Sequence, residues 1–135
     1  MDDVSRYGVV IDGRRGGYGV VFPDLPGCTA MGRTLEEALR HAMEAAAEWA
    51  QVVKPIPRPR PLEQLRGDKD VKQALAEGAV LAVVPVLFES GKPTKANISM
   101  DAGTLQAIDA EAAALGLTRS AFITSAALEK IRRGV

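Results

Sequence analysis

The stretch Lys95-Ala96-Asn97-Ile98-Ser99-Met100 alternates polar and apolar side chains, and Asp101 follows it as the cap of an amphipathic helix. Alternation at period two marks a strand with one buried face. The helix repeats Leu105, Ile108, Ala112 and Leu115 along one side and stops at Gly116. Thr118 then caps a second helix with Phe122, Ile123, Ala126, Ala127 and Ile131, and Arg132 and Arg133 sit in its last turn, where the helix dipole favours cations. One strand and two short helices, in about 40 residues, cannot close a core by themselves. A lone strand also leaves its backbone donors and acceptors unpaired. Both defects disappear if two copies pair their strands antiparallel and interlock their helices. Ala96, Ile98 and Met100 then point into a shared core, while Lys95, Asn97 and Ser99 stand in a row outside. A two-stranded ribbon fits the major groove, where Lys and Asn can read guanine and adenine edges.

This order of elements resembles the ribbon-helix-helix repressors, with Lys-Ala-Asn-Ile-Ser-Met leading into a capped helix and then Gly116-Leu117-Thr118-Arg119-Ser120-Ala121-Phe122-Ile123. The resemblance implies that Lys95, Asn97 and Ser99 contact bases. It also implies that Thr118, Arg119 and Ser120 meet phosphate at the start of the second helix. Taken singly, Thr118 and Ser120 read equally well as capping residues, and alternating polar residues on a strand can simply face water.

Upstream, Glu89-Ser90-Gly91-Lys92-Pro93 is a run of breakers, which divides the chain into domains 1–91 and 92–135. In the first domain, Arg6–Ile11 and Tyr18–Phe22 are short β-branched and aromatic runs, separated by the turn-rich Asp12–Gly17. That is a hairpin pattern. Pro23-Asp24-Leu25-Pro26-Gly27 must be turn or loop, because its prolines cannot donate to a ladder. Cys28–Met31 can form a third strand, ended by Gly32. Thr34 and Glu37 form a capping box. The helix they open carries an apolar stripe of Leu35, Ala38, Leu39, Ala42, Ala46, Trp49 and Val53. Lys54–Pro61 alternates prolines with Lys, Ile and Arg and is polyproline-like, either a stiff connector with solvated charges or a docking strip. A short helix over Asp70–Glu77 ends at Gly78, and Ala79–Phe88 is a strand that Pro85 places at a sheet edge.

The run Tyr18–Gly32, followed by Thr34-Leu35-Glu36-Glu37-Ala38, is similar to the signature of HicB antitoxins. Ile56-Pro57 to Leu65 and the strand from Ala79 also stand where that family has them, so the resemblance spans nearly the whole chain. It implies an α+β fold, a small sheet with one packed helix in a truncated ribonuclease-H-like domain, followed by a dimeric ribbon-helix-helix module. It further implies an antitoxin that masks a HicA-like, mRNA-cleaving toxin, a small basic protein with a catalytic histidine, and represses its own operon by binding double-stranded operator DNA. No enzymatic activity, cofactor or metal is expected. Ribonuclease H chemistry needs several inward carboxylates around paired Mg²⁺ ions about 4 Å apart, whereas Asp12 and Asp24 lie among glycine and proline and read as turn-formers. Cys28 could pair only with His41, and a buried thiol beside a solvated or partly covered histidine is the better reading.

Composition agrees with this outline. Hydrophobic residues make up 47% and charged residues 25%, a globular balance, while only 4% are aromatic, so the core rests on Val, Leu, Ile and Ala. The longest apolar run, Ala79–Phe88, is too short to span a bilayer. One cysteine excludes an intrachain disulfide, and the start MDDVSRYG lacks a secretory pattern, so a cytoplasmic protein without a membrane role is expected. The net charge is zero overall, but it is −3 over residues 1–53, +1 over 54–91 and +2 over 92–135. An acidic front can complement a basic toxin, and a mildly basic back can complement DNA. A homodimer or tetramer follows from strand pairing. The rival readings are a stand-alone ribbon-helix-helix regulator, whose first domain assembles subunits or senses a ligand, and a residual nuclease.

Overall fold

The computed structural model describes residues 4–88 and 92–133. They fall into two compact units, one within residues 1–90 and the other within Gly91–Arg133. Of the breaker run, Glu89, Ser90 and Gly91 lie outside the described residues.

The first unit is built on a four-stranded antiparallel sheet in the order β3-β2-β1-β4, with β1 at Val4–Arg14, β2 at Gly17–Val21, β3 at Thr29–Gly32 and β4 at Val80–Leu87. The hairpin is tighter than its glycine-rich sequence predicts. Arg14 pairs with Gly17, so only Arg15 and Gly16 form the turn. Gly13 (φ +88°) and Gly16 (φ +99°) supply the left-handed backbone that lets the ladder continue into the turn. Pro85 lies on β4, an edge strand, where its missing N–H costs no ladder bond toward a further strand.

Helix α1 (Leu35–Val52) covers one face of the sheet. Its Thr34 Oγ1 accepts from the Glu37 backbone N–H at 3.1 Å, while the Glu37 carboxylate reaches back to the N–H of Arg33 rather than Thr34, at 3.3 Å. Tyr7, Val9, Val20, Phe22, Val84 and Val86 from the strands meet Ala38, Ala42, Met43 and Ala46 from the helix. Small residues on the helix let it approach the sheet closely. At Gly32 a Cβ would stand 2.3 Å from the Ala38 nitrogen, so no side chain fits there. The buried stripe is rotated from the expected one: Met43 and Ala50 are inside, whereas Leu35 and Val53, at the two ends of α1, are 43% and 38% exposed.

Two further helices, α2 (Leu62–Arg66) and α3 (Lys69–Ala76), follow the proline segment. The expected α+β sheet with one packed helix is thus extended by a second set on the opposite face. There Leu65, fully buried, fills the space that Gly8 leaves: a Cβ on Gly8 would stand 2.2 Å from Leu65 Cδ1. α2 went unpredicted because five residues after a proline are too few to show a period.

The proline segment is pinned rather than free. Asp24, at 8% exposure, accepts from the Arg60 backbone N–H at 2.8 Å and from Arg60 Nε at 2.5 Å. Arg60 Nη1 reaches Asp68 at 3.2 Å, and Asp68 caps α3 by accepting from Asp70 and Val71. Tyr7 donates its hydroxyl to the Pro57 carbonyl, and Trp49 Nε1 donates to that of Pro26 at 3.0 Å. The charge of Arg60 is therefore not solvated as the sequence suggests, because a buried carboxylate needs a cation beside it.

In the second unit, an arm over residues 92–100 leads into α4 (Ala102–Ala114), a glycine turn and α5 (Arg119–Arg132). Asp101 Oδ2 caps α4 through the N–H groups of Gly103 (2.8 Å) and Thr104 (3.2 Å). At its end, Gly116 (φ +70°) donates to Ala113 O and Leu117 to Ala112 O, the paired bonds of a Schellman motif. Thr118 Oγ1 accepts from the Ala121 N–H at 3.1 Å to open α5. The expected strand over Lys95–Met100 has no ladder in this single chain, since a ladder requires a second strand and none among the described residues lies alongside it.

The Asp24–Arg60 bonds generate a stability prediction. Asp24→Ala should lower the unfolding free energy by about 2 kcal/mol, because it strands a cation and a backbone N–H. Arg60→Ala should cost at least as much, because it leaves the buried carboxylate without its cation, and the double variant less than the sum, in urea titrations.

Candidate nucleic-acid interface

Most of the second unit's apolar residues stay in contact with solvent. Among its described residues only Ala112 is buried, while Ile98, Leu115 and Leu117 are 63%, 59% and 40% exposed. Leu105, Ile108, Phe122, Ile123 and Ile131 are half-buried. Ala96 and Ile98 are exposed and Met100 is half-buried, so the apolar set of the arm is left largely open among the described residues.

The arm and the helices enclose a groove of about 850 Å³. Residues 94–100 line one side, and Leu105, Arg119, Ser120, Ile123 and Thr124 line the other. Five of the six residues singled out in the sequence, Lys95, Asn97, Ser99, Arg119 and Ser120, therefore share one surface. Thr118 is not among the lining residues, and its hydroxyl is engaged as the α5 cap.

Arg119 is engaged too. Its Nε and Nη2 each donate to one carboxylate oxygen of Asp109 on α4, both at 2.8 Å. These bonds hold the Asp109 carboxyl below the usual carboxylate range and raise the Arg119 guanidinium. The pair joins α4 to α5 across the glycine turn, ten residues apart, and no helical spacing rule reveals it in the sequence.

The catalytic candidates of the first unit do not converge. Asp24 is committed to Arg60. Asp12 is exposed on β1, with an oxygen 2.6 Å from where a Cβ on Gly19 would stand. Among the described residues, no three His, Cys, Asp or Glu side chains are grouped to hold a metal ion. Cys28 is buried, which pushes its thiol pKa up and away from the nucleophilic thiolate. Half-buried His41 places Nδ1 2.7 Å from the Met31 carbonyl oxygen, which requires a proton on that nitrogen. No helix among the described residues is long and apolar enough to cross a membrane.

These two units, a small helix-covered sheet and an arm with two capped helices, define the class of protein. The chain belongs to the family described as HicB-like antitoxin of bacterial toxin–antitoxin systems, which matches residues 7–127. An uncharacterized 14.9 kDa protein from the rep-hol intergenic region of Haemophilus phage HP1 (strain HP1c1) is 31% identical over 107 residues, 76% of this chain and 78% of the phage protein. Among solved structures, the antitoxin HicB of Burkholderia pseudomallei is 26% identical with a TM-score of 0.48, covering 97% of this chain and 99% of its own. The antitoxin HicB3 is 28% identical with a TM-score of 0.48, covering 93% and 97%. A HicA3–HicB3 toxin–antitoxin complex contains a chain 26% identical with a TM-score of 0.49, covering 62% and 98%.

The Asp109–Arg119 pair sets an expected pH dependence. A carboxyl held low in the folded state adds stability that is complete above about pH 4 and is lost as pH falls through the folded-state value. Asp109→Asn should therefore flatten part of the acid decline in melting temperature between about pH 5 and pH 2 and leave the remaining decline in place.

Proposed function

We propose that this antitoxin masks a HicA-like, mRNA-cleaving toxin with residues 1–91 and represses its own operon through residues 92–135, which pair with a second copy as a ribbon-helix-helix module. The observation that carries the reading is the solvent-exposed apolar set of the second unit, Ile98, Leu115 and Leu117, beside residues 95–100, which pair with no strand among the described residues. Two copies pairing their arms antiparallel cover Ala96, Ile98 and Met100 and satisfy the backbone of both arms at once. The assembly is a homodimer, or a tetramer if the first units also associate.

In this reading Lys95, Asn97 and Ser99 face outward and enter the major groove of double-stranded operator DNA. Thr118, Arg119 and Ser120 address phosphates at the start of α5. The first unit offers an acidic face to a basic toxin, with Glu36, Glu44 and Glu48 exposed along α1. The antitoxin family suggests a non-enzymatic role, and masking requires only shape and charge. Such a protein works in the cytoplasm, where both mRNA and operator are found.

The decisive experiment expresses the neighbouring reading frame alone and together with this chain. Growth arrest by the neighbour, relieved by co-expression and accompanied by co-purification, is the expected result. A harmless neighbour that does not associate would leave a stand-alone regulator. Ile98→Asp should dissociate the assembly in analytical ultracentrifugation and abolish operator binding, because a charge enters the shared core. Asn97→Ala should relax operator preference by about 1–3 kcal/mol in competition binding while toxin neutralisation is retained.

A further inference from the structure

Among the residues assigned to phosphate, Arg119 already holds an anion within its own chain. Its guanidinium meets the Asp109 carboxylate through two parallel bonds of 2.8 Å, Nε to one oxygen and Nη2 to the other. A guanidinium presents the same planar fork to a phosphate. The two side chains are 56% and 43% exposed, so the pair is open to approach from outside. An ion pair in such a setting is weak enough to be exchanged. Arg119 also lines the groove that carries Lys95 and Asn97, so the occupied fork belongs to the candidate interface itself.

Building on the operator-binding reading, we propose that Asp109 is an internal stand-in for phosphate: it occupies the Arg119 fork until a duplex backbone displaces it, and so sets how tightly the antitoxin holds DNA. Two consequences follow from charge alone. The fork must leave one anion to take the next, and the released carboxylate then faces a polyanion. Both weaken the complex, and both vanish when Asp109 loses its charge. A mere clamp between α4 and α5 predicts the opposite sign, since losing a clamp leaves binding unchanged or weaker. Held below the usual range by Arg119, the Asp109 carboxyl stays ionised at neutral pH.

The test uses the full-length protein in fluorescence anisotropy, with the duplex immediately upstream of its own reading frame and a scrambled duplex of equal length. Asp109→Asn and Asp109→Ser should each bind the upstream duplex about threefold to tenfold more tightly at low salt. The slope of log K against log salt should steepen by less than about 0.9, because the carboxylate released in the wild type takes up part of a cation and the variants have none to release. In an Arg119→Ala background the same substitutions should give a distinctly smaller gain, that of removing a carboxylate that faces the duplex. Two substitutions guard against one that fails to fold, and melting curves identify such a case. Affinity at or below wild type with an unchanged slope in both folded variants would overturn the proposal. So would a gain of the same size without the guanidinium, since that reports only a general charge effect. Wild type binding neither duplex at low salt would instead remove the operator-binding reading itself.

Discussion

Apolar surface is buried very unevenly along this chain, and that division governs what each part can do alone. In the first unit, a sheet and α1 enclose Tyr7, Val9, Val20, Phe22, Val84 and Val86 almost completely, and Leu65 seals the second face above Gly8. In the second, two well-capped helices bury little beyond Ala112. Caps and a Schellman turn fix the direction of α4 and α5 but cannot replace a core, because each cap contributes only about 1 kcal/mol. The unit is locally specified with little core of its own, which is what the proposed pairing with a second copy would supply.

With few aromatic side chains, the first unit relies on polar fasteners at its margins. The Asp24 carboxylate joins the loop after β2 to the proline segment, and Arg60 carries the connection on to the cap of α3. Tyr7 and Trp49 add one hydrogen bond each, from rings that also pack. A loop that would otherwise present solvated prolines thus becomes part of the wall. The acid in the Pro-Asp-Leu-Pro-Gly turn has a structural office, and Asp68, which shares the Arg60 guanidinium with it, is engaged as the cap of α3.

Local chemistry was the legible part of the sequence. Thr34, Asp101 and Thr118 cap helices where their positions predict, Gly116 stops α4, and Pro85 lies on an edge strand. Features that depend on distant partners were not legible. Asp24 and Arg60 lie 36 positions apart, and nothing in their spacing couples them. The hairpin proved tighter than its glycines suggested, because Gly13 adopts a positive φ inside the ladder. At the candidate interface, alternation predicts Lys95, Asn97 and Ser99 as one row, whereas in this chain residues 94–100, polar and apolar alike, line one groove. The engagement of Arg119 by Asp109 was invisible, since it depends on how two helices turn about Gly116.

The bond from Trp49 to the Pro26 carbonyl has a practical side. It fixes the protein's single tryptophan between α1 and the loop after β2. Intrinsic emission is therefore a private signal of the first unit, whereas far-ultraviolet dichroism weights α4 and α5 along with every other helix. Followed together through one denaturant series, the two optical readouts would separate the melting of the sheet unit from that of the tail without a label or a truncation.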